Sequence, residues 1–293
     1  MTRTLNNCPA PAKLNLFLHV TGRRADGYHL LQTVFQLIDH GDILHFETRD
    51  DGAIHRSTDI PGVPEASDLI VRAAKLLQAS ATVNSGERIL GANIAIEKRL
   101  PMGGGLGGGS SDAATTLVAL NHLWQAGLTR EQLMRLGLEL GADVPFFILG
   151  QNAFAEGVGE ALRPIATGHK WFVVIEPGVQ VPTAVIFGSP ELTRDSKPVK
   201  ISDFSAAPLG FGKNDLQDVA AKLFPPVAEV IEWLNSWLNQ HDESGIVRMT
   251  GSGACVFCAV EQELQADAIL NMVPPRWKAW KAKAMERHPL ADC

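Results

Sequence analysis

Six glycines fill the seven positions from Gly103 to Gly109 within PMGGGLGGGSSDAA (residues 101–114). A glycine- and serine-rich run is a flexible tether when nothing orders it, but the flanks of this one are patterned. Before it, NIAIEKRL (93–100) carries Ile94, Ile96 and Leu100 at the period of two that marks a half-buried strand. After it, Leu117, Leu120 and Trp124 fall at i, i+3 and i+7, with Ala113 extending the stripe, which predicts a helix stopped at Gly127. The glycines thus lead from a strand into a helix N-terminus, where unpaired N–H groups and the positive end of the helix dipole bind anions, phosphate above all. Glycine suits that place because it adopts positive φ and lets a bulky anion approach the backbone. Ser110 or Ser111 is then expected to cap the helix, or to offer a hydroxyl to a phosphate or its metal. No lysine precedes the serines, so the pattern is not the G-x-x-x-x-G-K-[ST] loop, and a G-x-G-x-x-G at 103, 105 and 108 is nearly automatic in such a run.

The 293 residues suggest about two domains, and 45% hydrophobic residues suffice for packed cores. With 26 basic against 32 acidic residues the net charge is −6, and no long basic run offers a sequence-independent grip on nucleic acid. The most basic segment, RWKAWKAKAMERH (276–288), reads as a solvated helix face rather than a membrane or RNA contact. MTRTLNNCPAPAK lacks the apolar core of a secretory signal and no stretch is long enough to cross a bilayer, so a cytoplasmic protein without a membrane partner is expected. Four cysteines make no disulfide framework. Cys255 and Cys258 form C-x-x-C, but in the strand-like ACVFCAV they face opposite sides and read as buried thiols.

Along the chain, AKLNLFLHV (12–20) predicts a strand with Leu14, Leu16, Leu18 and Val20 on one face and Lys13, Asn15, Phe17 and His19 on the other. A turn around Asp26 and Gly27 leads into further strands through DILHFETRD. SDLIVRAAKLLQAS predicts a helix capped by Ser67 or Asp68, with Leu69, Ala73 and Leu76 inside. TREQLMRLGLEL predicts another helix, stopped near Gly141; Pro145 disfavours helical geometry at Val144, which leaves Asp143 on a turn. FAEGVGEALRPI and KWFVVIEPGVQVPTAVIF read as strands separated by Gly and Pro turns, with a domain boundary between them at 167/168. NDLQDVAAKLF and VAEVIEWLNSWL read as helices, and a strand pair surrounds MTGSGA (249–254). Strands and helices mixed without steady βαβα alternation indicate an α+β, two-domain enzyme.

Three features bear on chemistry. Lys13 and Asn15 stand on one strand face between leucines, and Asp143 lies in an apolar turn. A kinase must remove a proton from a hydroxyl as it attacks the γ-phosphate; a carboxylate can take it while an ammonium holds charge and geometry. The second glycine turn, Gly251-Ser252-Gly253, can present N–H groups to a phosphate as a nest.

PAKLNL, GRRADGYH, RLPMGGGLGGGSSDAA, LGADVPFF and TGSGACVF, five motifs in order from about residue 9 to about residue 260, resemble those of the GHMP small-molecule kinases. The resemblance implies a ribosomal-S5-like N-terminal domain (1–167) that binds ATP and a ferredoxin-like C-terminal domain (168–293), with substrate between them. It implies phosphorylation of the 2-hydroxyl of 4-diphosphocytidyl-2-C-methyl-D-erythritol, an isoprenoid precursor, by ATP with Mg2+. Lys13 and Asp143 match the family's catalytic pair. Pro101, Met102, Gly103, Gly104, Gly105, Leu106, Gly107, Gly108, Gly109, Ser110 and Ser111 match its ATP loop, and Lys98 and Asp68 its adenosine contacts. Asn15, Tyr28, His29, Thr183 and Phe187 match positions that meet substrate, with Tyr28 and Phe187 flanking the cytosine and His29 at its polar edge; Gly251, Ser252 and Gly253 match the third motif. The resemblance assigns no metal ligand. The scaffold also serves other small-molecule kinases and an ATP-dependent diphosphate-mevalonate decarboxylase; GRRADGYH, and the pairing of Lys13 with Asp143, argue for the cytidine-bearing acceptor.

Overall fold

The computed structural model describes residues 2–85, 90–206 and 210–291. Two long strands, β1 (Thr4–Arg23) and β2 (His29–Arg49), pair antiparallel around the turn that holds Gly27 at φ 93°. Their register runs Lys13 opposite Leu37 and Asn15 opposite Phe35, then shifts before Leu18 pairs with Thr33. This irregularity divides the leucine stripe, which alternation alone puts on one face: Leu14 and Leu16 enter one core, Leu18 and Val20 another.

Next come β3 (Ile54–Arg56), α1 (Leu69–Ser85) and β4 (Gly91–Glu97). The Asp68 carboxylate accepts the Ile70 N–H at 2.9 Å and so caps α1. Its buried face is Ile70, Ala73, Ala74, Leu77 and Ala81, while Leu69 and Leu76 flank it. Helix α2 (Gly108–Trp124) begins inside the glycine run. Gly107 is its N-cap, so neither serine caps it, and a left-handed Gln125 ends it before Gly127. Helix α3 (Arg130–Leu140) starts with a Thr129–Gln132 capping box and stops at Gly141, as expected. Val144 does not stay extended before Pro145: it opens a short helix, α4 (Val144–Leu149). Proline is tolerated in a first turn, where its missing N–H has no intrahelical acceptor, and Asp143 remains on the preceding turn.

The hairpin β5 (Ala153–Glu156) and β6 (Ala161–Pro164) follows, then β7 (Trp171–Glu176). TAVIF, expected as a strand, is the helix α5 (Thr183–Gly188), which starts after Pro182 and buries Ile186. Then come α6 (Ile201–Ala206), α7 (Gln217–Leu223), α8 (Pro225–Gln240), β8 (Ile246–Met249), β9 (Val256–Val260), α9 (Glu263–Met272) and β10 (Lys278–Met285). The last is a correction. The basic C-terminal segment is not a helix face but an inner strand, pairing antiparallel with β7 and with Leu37 and Ile38 in the middle of β2. Ala282 and Ala284 turn inward, while Lys281 is held by Glu263 and Asp267 of α9. Alternation of small and basic residues yields an amphipathic strand once neighbours are available on both sides.

The sheet runs β3-β4-β2-β10-β7-β9-β8, with β1 and β5 also pairing to β2 and β6 to β5. One core lies between its N-terminal strands and α1 to α4; a second gathers α5, α7, α8 and α9 against the C-terminal strands. Cys255 and Cys258 enter different cores, as their spacing predicts, and burial raises both thiol pKa values, that of Cys258 to about 12. Among the described residues, no helix is long and apolar enough to cross a membrane.

Candidate active site

The glycine run is no tether. It is threaded between β1 and the turn joining β8 to β9: Lys13 N–H donates to the Leu106 carbonyl at 2.9 Å, Ala254 N–H to Gly103 at 3.2 Å and Cys255 N–H to Gly104 at 3.1 Å. The path requires glycine at two places. At Gly105 (φ 75°) a Cβ would lie 2.1 Å from the Thr250 carbonyl, and at Gly107 (φ 71°) it would lie 2.9 Å from the Phe147 ring and 3.1 Å from Lys13 Cγ. The first N–H groups of α2 therefore emerge beside Lys13 with no side-chain cap covering them. Ser110 lines the cavities on both sides of the loop, whereas Ser111 is fully buried and its hydroxyl meets no partner among the described residues.

On one side lies a cleft of about 830 Å³. Lys13 Nζ stands 3.6 Å from Asp143 Oδ2, with the lysine side chain 5% exposed and the carboxylate 32%. The ammonium also donates to Asn15 Oδ1 at 2.6 Å and lies 5.2 Å from the Phe35 ring centre. Asn15 is fixed in turn. Its Nδ2 donates to Thr33 Oγ1 at 2.9 Å, because the Thr33 hydroxyl hydrogen is given to the Phe17 carbonyl, and its backbone N–H donates to Thr250 Oγ1 at 3.0 Å. Thr33 and Thr250 are supports of the candidate site that sequence reasoning missed. Nothing local marks Thr33, and Thr250 lies in TGSGACVF with no sign there of its partner; only the pairing of β2 with β1, and the turn after β8, bring them to Asn15.

The same cleft is lined by Tyr28, which is 66% exposed, and by His29 and Phe187, whose rings lie 4.8 Å apart. Gly251, Ser252 and Gly253 line the same cleft, and Ser252 shares a 2.7 Å hydroxyl contact with Thr183. The residues expected from separate motifs, Lys13, Asn15, Tyr28, His29, Asp143, Thr183, Phe187 and the third-motif glycines, thus converge on one cavity.

On the far side of the loop is a groove of about 370 Å³, floored by residues 101–110 and walled by Ile60, Val63 and Leu69. Lys98 and Asp68 both reach it, but already engaged. Asp68 Oδ2 accepts from Arg56 at 2.5 Å, while Lys98 Nζ donates to Asp42 at 2.5 Å and to Asp112 at 2.8 Å. Burial opposes the Lys98 charge, but Asp112 and Asp42 outweigh it and hold the ammonium above its usual range. Burial, partly offset by Lys98, pushes Asp112 up to about 8.

A phosphate loop, a buried ammonium beside a carboxylate and an aromatic recess in one cleft suit phosphoryl transfer to a small molecule. Comparison with known proteins agrees. The GHMP kinases N terminal domain matches residues 68–151 and the GHMP kinases C terminal model matches 204–279. A 4-diphosphocytidyl-2-C-methyl-D-erythritol kinase of Janthinobacterium sp. (strain Marseille) is 72% identical over 99% of this chain and 98% of that protein. The chain belongs to the GHMP kinase family. One from Azoarcus sp. (strain BH72) is 58% identical over 98% of this chain and 96% of that protein, so the likeness extends well past residue 260. Among solved GHMP kinase structures, a 4-(cytidine 5'-diphospho)-2C-methyl-D-erythritol kinase superposes with a TM-score of 0.75 at 33% identity, covering 97% of this chain and 99% of that one. The Methanococcus jannaschii mevalonate kinase, at 16% identity, 97% and 99% coverage and a TM-score of 0.65, shares the fold. The expected α+β GHMP architecture is therefore the observed one, and this GHMP kinase is an ATP-dependent small-molecule kinase.

Proposed function

We propose that the chain transfers the γ-phosphoryl group of ATP to the 2-hydroxyl of 4-diphosphocytidyl-2-C-methyl-D-erythritol, in the cytoplasm, as a step toward isoprenoid precursors. The observation that carries this reading is the cleft itself. The Lys13–Asp143 pair and the aromatic group of Tyr28, His29 and Phe187, suited to a pyrimidine, line it together. In this reading residues 1–167 hold ATP and residues 168–293 close the cleft with Thr183, Phe187 and the Gly251–Gly253 turn.

Asp143 accepts the hydroxyl proton as the oxygen attacks phosphorus. Lys13, held by Asn15, pairs with Asp143 and lies beside the oxygens that gain charge. The first turn of α2 and the glycines before it bind the phosphates, Gly251 to Gly253 bind the substrate diphosphate, and the groove around Ile60, Val63, Asp68 and Lys98 takes the adenosine. Among the described residues no cluster of three or more His, Cys, Asp or Glu side chains could hold a metal. The hard hydroxyl oxygen of Ser110, which lines the cavities on both sides of the loop, nonetheless fits Mg2+, which is commonly held by one or two protein oxygens and by phosphates. Ser110 and the ATP phosphates would hold it, and the ion would neutralise charge on the phosphates.

The test is ADP release across acceptors. Turnover with the cytidine diphosphate compound and little with methylerythritol phosphate is expected; equal turnover of the two would sink the assignment of the substrate.

A further inference from the structure

Behind the lining of the cleft stands a guanidinium that phosphoryl transfer leaves without a task. Arg194 Nε–H donates to His29 Nε2 at 3.1 Å. Its other nitrogens donate to three backbone carbonyls, Leu192 at 3.0 Å, Phe187 at 2.9 Å and Ser189 at 2.7 Å. Arg194 therefore grips both parts of one wall of the aromatic recess: the His29 imidazole, and the backbone of the residue whose ring lies against it.

The chemistry of that contact has one solution. A guanidinium carries donors only and stays charged at any working pH. His29 Nε2 must then be the acceptor, and a neutral imidazole that accepts at Nε2 carries its single proton on Nδ1. We propose that Arg194 locks His29 as the Nδ1–H tautomer, so that the ring offers the nucleobase a fixed donor, and that this donor selects cytosine, which has an acceptor at N3 where uracil has an N–H. The inference rests on the cytidine-bearing substrate proposed above. Burial, then the charges of Arg194 and Arg23, lower the His29 pKa, which keeps the ring neutral at neutral pH and the tautomer meaningful. A fixed donor is a stronger filter than a freely switching imidazole. A ring able to exchange tautomers could accept from uracil N3–H as readily as donate to cytosine N3, whereas here the wrong base leaves two donors opposed. Arg194 acts through His29 and is a positioning residue.

A merely structural Arg194, bracing the end of α5, would affect folding but not the imidazole proton. The first measurement is therefore nitrogen NMR of the wild-type protein labelled with 15N-histidine at about pH 8, with His29 assigned among the nine histidines by its loss in His29→Asn. A protonated, pyrrole-type Nδ1 and an unprotonated Nε2 are expected; the reverse pattern would overturn the proposal. The second compares wild type with Arg194→Met, both checked by melting, on the cytidine substrate and its uridine analogue. The KM for the cytidine compound should rise about three- to tenfold, as for loss of one oriented hydrogen bond, with a smaller change in kcat. The cytidine-to-uridine ratio of kcat/KM should fall by a similar factor while the KM for ATP holds. A ratio within about twofold of wild type would overturn the proposal, since a hydrogen bond that discriminates is worth more than that. The tautomer is read on the protein alone, so a failed phosphorylation assay and a failed tautomer assignment are separate results: the first sinks the proposed reaction, the second the lock.

Discussion

In the proposed reaction much hangs on one side chain, Asp143. Its turn leaves the carboxylate 32% exposed, open to an incoming hydroxyl, while the Lys13 ammonium 3.6 Å away is shut in by Phe35 and Asn15. A base in that position has its charge compensated before substrate arrives, so little reorganisation is needed in the transition state. Asp143→Asn keeps the shape and removes the base. It should lower kcat by about 10²–10⁴-fold, with much smaller changes in the KM of either substrate. Single-turnover phosphorylation across pH, on protein with native melting, is the measurement; a variant within about threefold of wild type at every pH would remove Asp143 from the mechanism.

At the scale of the element, the glycine loop earns its composition twice, once by backbone conformation and once by close approach. Gly103 and Gly107 both have positive φ, but a Cβ at Gly103 meets nothing within 4 Å, whereas at Gly107 it meets Phe147 and Lys13. The two positions therefore separate conformation from contact. Gly103→Ala should lower stability by about 1 kcal/mol, the penalty of a left-handed side chain, and leave ATP affinity near wild type. Gly107→Val should displace Lys13 and block the phosphates, weakening ATP binding far more than it lowers the melting temperature. Calorimetric titration with ATP beside thermal melts reads both. Equal ATP affinities in the two folded variants would show that the loop is only a connector.

At the scale of the whole molecule, the C-terminal residues bind the sheet to the N-terminal helices through a buried histidine. His288 N–H donates to the Gly150 carbonyl at 2.9 Å, its Nδ1 accepts from Leu290 N–H at 3.0 Å, and burial together with Arg130 pushes the ring down to about 4. The folded-state pKa lies below the ordinary value near 6.5, so the unfolded chain binds more protons between those limits and stability falls on acidification through that window. Burial also lowers His19 and His40, in the same direction. The His288 contribution lost between pH 7 and about pH 5 is about 2 kcal/mol. Urea unfolding at the two pH values should show wild type losing more than His288→Asn, whose side-chain oxygen still accepts from Leu290. Parallel losses in the two proteins would clear His288 of the effect.

The sequence by itself determined what local chemistry can express. The glycine passage from strand to helix, the helix that stops at Gly141, the opposed thiols of Cys255 and Cys258 and the residues worth suspecting at the site were all legible, because glycine freedom, helix termination and the period of a strand act within a few residues. The spacing of Lys13 and Asn15 marked both as odd, yet not what they face. Only the tertiary structure decided that the leucine stripe of β1 splits between two cores, that TAVIF is a helix, and that KAWKAKAM is an inner strand between β2 and β7. These outcomes depend on partners remote in sequence. An apolar pentapeptide or a lysine–alanine alternation is compatible with either state until a neighbouring strand or core claims it. The same holds for the site. Thr33 and Thr250 hold Asn15, and Arg194 holds His29 across 165 residues of chain, by hydrogen bonds that no window of sequence contains.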